Sequence, residues 1–497
     1  MIKKNYIKTL YLAIFALAIF MLSGCSFKLP IPGSYSKTTT SNIPQETYER
    51  STVGNIDNFD EAYSYKDVHK LIYGRDGYMP SVGNVKILVI PIKFNDIYTS
   101  KSNLEKYHTD LERTFFGTDT GYESLKTYYE KSSYGKLNIT GTVLDWYTPN
   151  NSATYYENIY SNSRKLITTN LGALAVEALD AVAQDIDLSE YDYDKDGILD
   201  GVYLVCNKMQ QKHNSLYWSW VTYYGGNKTV KGYKVYQMMW SNVCFMYKDD
   251  FYKDVYGSNV NAITYIHETG HMMGSDDYYD YSPNEYSESI FGRKVTSEGD
   301  GCNLGAGSFD MMDGNIGDHC ANSKMNFGWI TPYVITQNAD IELNKFSTTG
   351  DAIIVAPSFD MESKNLSEYF IIEYYDYDGL AKQNIFDDRG YTKSGIRIYH
   401  VNARVVHDYD YWSLFKYDNS YTKHAYLTLI SAEYNKKGQT DFIDSSETAC
   451  NRSLFQEGDV FTPIDCSEYV NKLLLNVEIT INTVNDETAN ISIKFKD

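Results

Sequence analysis

The chain has 497 residues, of which 45 are Lys or Arg and 65 are Asp or Glu, so its formal net charge at pH 7 is −20. The length indicates two or three domains, and a hydrophobic content of 43% excludes global disorder. The acidic balance argues against nucleic acid as a partner, because a phosphate-binding surface needs clustered basic side chains, and seven cysteines are too few for a disulfide scaffold.

The first 25 residues are typical of a bacterial lipoprotein signal. Three lysines precede an apolar run over residues 10–22, which is too short for an ordinary membrane span, and Ser-Gly-Cys follows the run. Small residues before a cysteine resemble the lipoprotein box, so we expect residues 1–24 to be removed and Cys25 to carry the lipid. A plain signal peptide and an N-terminal anchor helix are the alternatives. Lipidation predicts an extracytoplasmic protein that is held at the cell membrane unless it is shed.

The rest of the chain predicts three segments of different character. Residues 25–80 contain few core residues and predict a tether, with room for a pro-region. Residues 81–337 alternate strand-like and helix-like patterns, which predicts an α+β domain. Residues 338–497 contain runs of strand-forming residues separated by polar turns, which predicts an all-β, sandwich-like domain.

Hydrophobic spacing predicts the individual elements. The first strand, Val85–Phe94, is nearly continuously apolar, as expected for a strand that is covered on both faces. Capping-box spacing over 102–105 predicts the start of the first helix. The other elements expected in the α+β domain are a helix at 124–131, a strand at 136–144, a helix at 165–183, a strand at 202–206 and a helix at 261–273. The strands expected in the β-rich domain lie at 352–356, 368–374, 395–400, 425–430 and 474–481.

Residues 267–271, His-Glu-Thr-Gly-His, match the pattern HExxH. On a helix, positions i and i+4 lie on one face, so the two imidazoles can bind one zinc ion. Glu268 can take a proton from zinc-bound water and activate that water for attack on a carbonyl. The preceding residues 262–266 are largely apolar, which predicts a buried helix. The alternative is a buried helix in which both histidines have only structural roles.

A third metal ligand is expected just beyond this helix. Gly274 follows His271 by three residues, where a helix can end in a left-handed turn that sends the chain back. Asp277 then lies where a third ligand is needed, and Asp276, one residue out of register, is the alternative. Three protein ligands leave one position for water, which is the pattern of catalytic zinc, whereas structural sites are closed by four protein ligands.

Residues 267–277 resemble HExxHxxGxxD, the catalytic signature of the immune-inhibitor-A-type secreted bacterial metallopeptidases, which are relatives of the metzincins. The resemblance extends to five other segments, which are 85–96, 124–147, 308–314, 368–375 and 395–401. It implies a zincin-like catalytic domain, in which a twisted mixed sheet supports the active-site helix.

The same resemblance implies roles for individual residues. It implies zinc ligation by three side chains, which are those of His267, His271 and Asp277. It also implies that Glu268 is the general base. Segment 308–314 resembles the Met-turn that lies beneath the metal, with Met312 as the expected turn methionine and Met311 as the alternative.

Residues 192–200 form an acidic segment with EF-hand spacing. Acids occupy loop positions 1, 3, 5 and 9, glycine occupies position 6, and residue 198 can offer its carbonyl at position 7. Position 12 is Tyr203 rather than Glu, so the loop is incomplete, and it leads into a strand rather than a helix. We expect structural Ca²⁺ here, bound by Asp192, Asp194, Asp196, Ile198 and Asp200. The alternative is an acidic surface turn.

These features predict a lipid-anchored, extracytoplasmic zinc metalloendopeptidase that acts as a monomer on protein or peptide substrates. One rival is a surface binding protein or adhesin that keeps a zincin fold without activity. The intact His-Glu-His triplet favours an enzyme over that rival. A second rival is a zinc-dependent hydrolase of a non-peptide polymer, which nothing in the sequence excludes.

Overall fold

The computed structural model describes residues 77–118, 120, 123–209, 215–247, 260–279, 306–307, 309–314, 317–356, 368–381, 391–403, 419, 425–436, 451–465 and 469–496. The predicted lipoprotein signal, its Cys25 and residues 25–76 of the predicted tether lie outside these ranges. Within them, no helix is both long enough and apolar enough to cross a membrane.

A mixed five-stranded sheet organises the first half of the chain. Its five strands are β1 (Gly83–Ile92), β2 (Leu137–Val143), β3 (Gly201–Cys206), β4 (Trp220–Tyr223) and β7 (Gln237–Asn242). Two further short strands, β5 (Thr229–Val230) and β6 (Tyr233–Lys234), lie between β4 and β7 in the chain. The order in the large sheet is β2-β1-β3-β7-β4, and only β4 runs antiparallel to its neighbour. Strands β5 and β6 pair with each other as a hairpin.

Both faces of this sheet are covered by helices. The helices are α1 (Lys101–Phe116), α2 (Leu125–Ser132), α3 (Ala153–Asn162), α4 (Arg164–Val182), α5 (Ile263–Met272), α6 (Met311–Gly314) and α7 (Ala321–Asn326). Val85 and Ile87 of β1 pack in one core with α1, α2 and α5, whereas Leu88 and Ile90 pack in a second core with α3 and α4. The prediction that the first strand is covered on both faces is therefore confirmed.

Two details of the helices differ from the prediction. Helix α1 begins two residues earlier than the expected capping box, because the hydroxyl of Ser100 accepts a hydrogen bond from the backbone N–H of Asn103 at 3.2 Å. Helix α3 was not predicted. The distant carboxylate of Asp96 accepts the backbone N–H groups of Ala153 and Thr154 and so helps to fix its start.

The second half of the chain forms two further sheets. Its elements are β8 (Tyr333–Ile335), β9 (Ala339–Asn344), α8 (Phe346–Thr349), β10 (Ala352–Val355), β11 (Tyr369–Tyr375), β12 (Gly395–Val401), β13 (Leu427–Ile430), α9 (Ala432–Lys436), β14 (Val460–Phe461), β15 (Val477–Val484) and β16 (Thr488–Phe495). One sheet has the order β13-β12-β11-β10-β8 and the other has the order β14-β15-β16-β9.

The five-stranded sheet of this half packs on both of its faces. Ile353 and Ile372 share a core with Ile479 and Ile491 of the four-stranded sheet. Residues of the opposite parity, such as Ile371, join the core that also contains α5 and the residues of α6. This sheet therefore contacts the half of the molecule that carries the HExxH helix.

Candidate metal centre

Helix α5 is held rigidly inside the protein. All ten of its residues are buried. The phenol of Tyr129 donates to the carbonyl of Ile266 at 2.7 Å, and the phenol of Tyr203 on β3 lies 2.9 Å from the hydroxyl of Thr269. These contacts tie the helix to α2 and to the central sheet, so its side chains have a fixed position.

A tight turn ends α5 and reverses the chain. Gly274 has a φ of 99°, which a side chain would make unfavourable. The N–H of Ser275 reaches back to the carbonyl of Gly270 at 3.0 Å, and the N–H of Gly274 reaches that of His271 at 2.9 Å. The turn brings Asp277 back over the helix face that carries the two histidines.

Two side chains of the helix and one that follows the turn meet at one point. Oδ1 of Asp277 lies 3.0 Å from Nε2 of His267 and 3.3 Å from Nε2 of His271. The two Nε2 atoms are 3.2 Å apart. These residues form a buried group whose ligand atoms are close enough to hold one metal ion. Asp276, the alternative ligand, is not part of this group.

The hydrogen bonds of the two imidazoles decide which nitrogens face this point. Nδ1 of His267 lies 2.9 Å from the carbonyl of Met311, and Nδ1 of His271 lies 2.8 Å from the carbonyl of Ser275. A carbonyl only accepts, so each Nδ1 carries the proton and each neutral ring turns the Nε2 lone pair toward Asp277. Two lone pairs and a carboxylate oxygen therefore converge, and this donor set fits a zinc ion.

Electrostatics at the centre follow from burial and from this arrangement. Burial acts to raise the pKa of Asp277, but when His271 and His267 are protonated, their positive charge and hydrogen bonds outweigh burial and lower that pKa well below its usual range. When the rings are neutral and bind a metal ion, the charge of that ion would favour the carboxylate in the same way. Burial raises the pKa of Glu268, although both imidazoles oppose the shift. Oε2 of Glu268 is buried and has no donor at hydrogen-bond distance among the described residues, although the hydroxyl of Ser219 is near enough to act against the rise in this pKa.

Both methionines of the predicted Met-turn contact the HExxH helix, in different ways. A Cβ atom at Gly270 would come within 2.4 Å of Sδ of Met312, so this side chain fills the space beneath the helix. Met311 contributes its backbone carbonyl to His267. The expected turn residue, Met312, thus packs under the helix, and the alternative, Met311, orients a histidine.

The two tyrosines that follow Asp277 have different surroundings. Tyr278 is buried, and its phenol lies 2.9 Å from the hydroxyl of Ser323 in α7. Tyr279 is half-buried, and its ring stacks near that of His267 with centroids 6.4 Å apart. Tyr278 is thus a structural neighbour of the centre, whereas Tyr279 lies beside it.

The acidic segment before β3 forms a compact loop. Asp192, Asp194 and Asp200 present carboxylate oxygens within 4.8 Å of one another. The carboxylate of Asp196 instead accepts the N–H of Ile198 at 2.7 Å and that of Gly77 at 2.8 Å. Burial, with further repulsion from the neighbouring aspartates, raises the pKa of Asp200 to about 9.

Sequence reasoning missed several residues around the metal group. Asp310 is completely buried and accepts hydrogen bonds from the backbone of Met312 and Cys320. Asn419, far along the chain, donates to the carbonyl of Tyr278. The bond from Met312 to Asp310 is a local Asx turn, and Asp310 lies inside segment 308–314, so the resemblance to the Met-turn was the available signal. The contacts of Cys320 and Asn419 depend on the tertiary fold, and no local pattern marks them.

Comparison with protein families gives a match to part of the chain. Residues 76–203 match the model described as immune inhibitor A peptidase M6, catalytic domain. This match confirms the resemblance drawn from the sequence and supports a metallopeptidase. A comparison with curated proteins found no match. Because the matched segment ends before α5, the geometry of the metal group is an observation separate from the match.

Proposed function

We propose that this chain, which carries a segment of the immune inhibitor A peptidase catalytic domain, is a zinc metalloendopeptidase. His267, His271 and Asp277 hold the zinc, and Glu268 is the general base. The observation that carries the proposal is the convergence of two imidazole lone pairs and one carboxylate oxygen within 3.0–3.3 Å. Two lone pairs and a carboxylate oxygen repel one another at these distances unless a proton or a cation lies between them, and two imidazoles with one carboxylate are ligands that zinc binds.

Each residue has a distinct task in this proposal. Bound zinc would polarise the substrate carbonyl and acidify a water molecule. The carbonyls of Met311 and Ser275 keep the two histidines in the tautomer that presents Nε2. The buried carboxylate of Glu268 takes the proton of the attacking water. The same carboxyl then passes that proton to the leaving amine.

The fold assignment that goes with this function is also a proposal. Residues 81–337 form a zincin-like, metzincin-related domain, and residues 338–497 form a β-rich, sandwich-like domain. The mixed sheet with α5 packed on one face supports the first assignment. The shared core between the five-stranded and four-stranded sheets supports the second.

We further propose that the mature protein is lipid-anchored outside the cytoplasm through Cys25. The support is the sequence Leu-Ser-Gly-Cys after an apolar run. In the source cells, wild type would fractionate with membranes and take up labelled fatty acid. A Cys25→Ser variant would take up no label, and a labelled Cys25→Ser protein would contradict the assignment.

Calcium is proposed as a structural ion in the loop of residues 192–200. Asp192, Asp194 and Asp200 gather close to one another, and their mutual repulsion is relieved by a divalent cation. Calcium would raise the melting temperature of wild type and of Asp180→Asn, an exposed helical control. It would not raise that of Asp194→Asn. The same melting temperature for wild type with calcium and with a calcium chelator would refute this role.

The deciding experiment for the main proposal uses the mature chain carrying Cys25→Ser, assayed on casein. Zinc content and cleavage are measured for this protein and for the same protein with Glu268→Ala, with and without a zinc chelator. We expect both to hold zinc, only the first to cleave, and chelation to abolish cleavage. A protein that holds zinc and cleaves no polypeptide would instead favour the binding-protein hypothesis, and a screen of non-peptide polymers would test the remaining rival.

A further inference from the structure

Asp310 is a buried carboxylate that collects hydrogen bonds from several parts of the chain. Its Oδ1 accepts the backbone N–H of Met312 at 2.8 Å and lies 3.3 Å from Nδ1 of His319. Its Oδ2 accepts the backbone N–H of Cys320 and the hydroxyl of Ser323, each at 2.7 Å. Both oxygens are therefore fully engaged, although the side chain is completely shielded from solvent.

The charge state of Asp310 agrees with this environment. Burial acts to raise its pKa, but His319 and the donated hydrogen bonds outweigh burial and lower that pKa below the usual value. Four donors converge on Asp310, and only the ionised carboxylate can accept from all of them, because a protonated carboxyl would itself carry a donor.

One branch of this network leads to His267. The bond from Met312 N–H to Oδ1 of Asp310, with a second bond from the N–H of Asp313 to the backbone carbonyl of Asp310 at 2.9 Å, closes the turn around Met311. The carbonyl of Met311 is the group that Nδ1 of His267 contacts at 2.9 Å. Asp310 thus fixes the peptide that orients the first metal-group histidine.

A second branch leads to Asp277. Ser323 donates to Asp310 and lies 2.9 Å from the phenol of Tyr278, which can therefore donate to Ser323. The N–H of Tyr278 donates to the carbonyl of Met312 at 2.9 Å. Tyr278 directly follows Asp277, so both the backbone and the side chain of the adjacent residue are held by partners of Asp310.

The β-rich half of the molecule reaches the same network. Oε2 of Glu373 on β11 accepts the backbone N–H of Ala321 at 2.7 Å, next to the Cys320 N–H that Asp310 binds. Asn419 donates to the carbonyl of Tyr278. The short helix α7 and Tyr278 are therefore held from one side by Asp310 and from the other by the second half of the chain.

We propose that Asp310 is a positioning residue that sets the orientation of His267 through Met311 and of Asp277 through Ser323 and Tyr278. The inference rests on the proposed function, because it takes those two residues to be metal ligands. Asp310 is not one of the three residues of the metal group. It acts by fixing the groups that aim the ligands, as outer hydrogen-bond partners of metal ligands do.

The test is Asp310→Asn, which keeps the shape of the side chain. The amide turns one acceptor oxygen into an NH₂ donor, which then faces either the N–H of Met312 or the donors of Cys320 and Ser323. The matched control is Asp351→Asn, since Asp351 is also buried and accepts two hydrogen bonds from Asn344. Both variants are made in the full mature chain.

The readouts are zinc affinity, measured by competition with a chromophoric chelator, and the visible absorption spectrum of the cobalt-substituted protein. We expect Asp310→Asn to bind zinc about 10–100-fold more weakly and to shift the cobalt bands. Asp351→Asn would match wild type in both. A general loss of stability would not alter the cobalt spectrum of the folded protein, so the pair separates positioning from structural support.

A second variant keeps the inference falsifiable if Asp310→Asn does not fold. Tyr278→Phe removes the phenolic hydroxyl that meets Ser323 and keeps the ring, and we expect a weaker shift in the same direction. Wild-type zinc affinity and an unchanged cobalt spectrum in the folded variants would overturn the role of Asp310 and leave the proposed function intact. A wild-type protein that binds neither zinc nor cobalt would overturn the proposed function, and this inference with it.

Discussion

Oδ1 of Asp277 lies 3.0 Å from Nε2 of His267, and this contact is made by a turn rather than by the helix itself. The positive φ of Gly274 lets the chain reverse immediately after α5. The turn is closed by the bond from the N–H of Ser275 to the carbonyl of Gly270. The carbonyl of Ser275 in turn accepts a hydrogen bond from Nδ1–H of His271. The turn at residues 274–275 therefore does two things: it brings the carboxylate of Asp277 to the metal group, and it orients the imidazole of His271.

Separate substitution of the two adjacent aspartates, Asp276 and Asp277, tests which one binds metal. Asp277→Asn removes the carboxylate that faces both imidazoles, so we expect zinc affinity to fall on the order of 100-fold or more. Asp276→Asn is the matched control, since Asp276 is half-buried and lies outside the group. Zinc titration of the two variants measures this. Equal losses, or a larger loss for Asp276→Asn, would contradict the assignment of Asp277.

Substitution of Glu268 separates metal binding from catalysis. Glu268→Gln keeps the size of the side chain but removes its basicity, so we expect casein cleavage to fall about 10²–10⁴-fold with zinc content unchanged. Cleavage rate and bound zinc are measured on the same preparation. A variant that loses zinc together with activity would assign Glu268 to ligand positioning instead.

The features that the sequence predicted correctly are those that depend on neighbours along the chain. The apolar run of β1, the buried helix α5 and the turn at Gly274 each follow from a local pattern, and the structure contains all three. The boundary of α1 was misplaced because Ser100, rather than Ser102, is oriented to accept the N–H of Asn103. Capping depends on backbone direction as well as on residue spacing.

The contacts that support the candidate site could not be predicted in the same way. Asn419 meets Tyr278 across 141 positions of sequence, and Ser132 meets Asp318 across 186. Pairs at such separations are decided by how the sheets pack, and no periodicity encodes them. Tyr278 and Tyr279 are identical residues at adjacent positions, yet the fold buries only the first.

A methyl group at Gly270 tests the packing of Met312 beneath the helix. Gly→Ala inside a helix ordinarily stabilises by about 1 kcal/mol. Here the new Cβ would lie 2.4 Å from Sδ of the fully buried Met312, and such overpacking costs about 1–3 kcal/mol. We therefore expect Gly270→Ala to lower the free energy of unfolding, measured by urea denaturation of zinc-saturated protein.

The control for this prediction is the same change in a Met312→Ala background. Removal of Sδ leaves room for the methyl group, so Gly270→Ala should there be neutral or stabilising. Gly270→Ala should therefore cost less unfolding free energy in the Met312→Ala background than in wild type, and the interaction term of the double-mutant cycle measures that difference. Additive effects of the two substitutions would show that Met312 does not limit the space at Gly270.

The ion pair between Arg397 and Glu373 gives a prediction for the joint between the two halves of the molecule. Both side chains are buried, and the carboxylate also accepts the N–H of Ala321 at the start of α7. Arg397→Met leaves that carboxylate without its cation, which we expect to cost about 3–5 kcal/mol in unfolding free energy at pH 7. Lys436→Met, which removes an exposed partner of Asp459, is the control and should cost no more than about 1 kcal/mol.

The pH dependence of this cost distinguishes a lost charge pair from lost packing. Burial already raises the pKa of Glu373, with Arg397 opposing the shift, so removal of Arg397 should raise that pKa further. An acid whose pKa is raised on folding loses stability as pH rises through the folded-state value, because the folded protein must then release a proton that it binds more tightly than the unfolded chain. The deficit of Arg397→Met relative to wild type should therefore shrink as pH falls toward the ordinary glutamate range. Urea unfolding at a series of pH values measures it, and a deficit that stays constant with pH would assign the loss to packing against Tyr375 and Tyr391 instead.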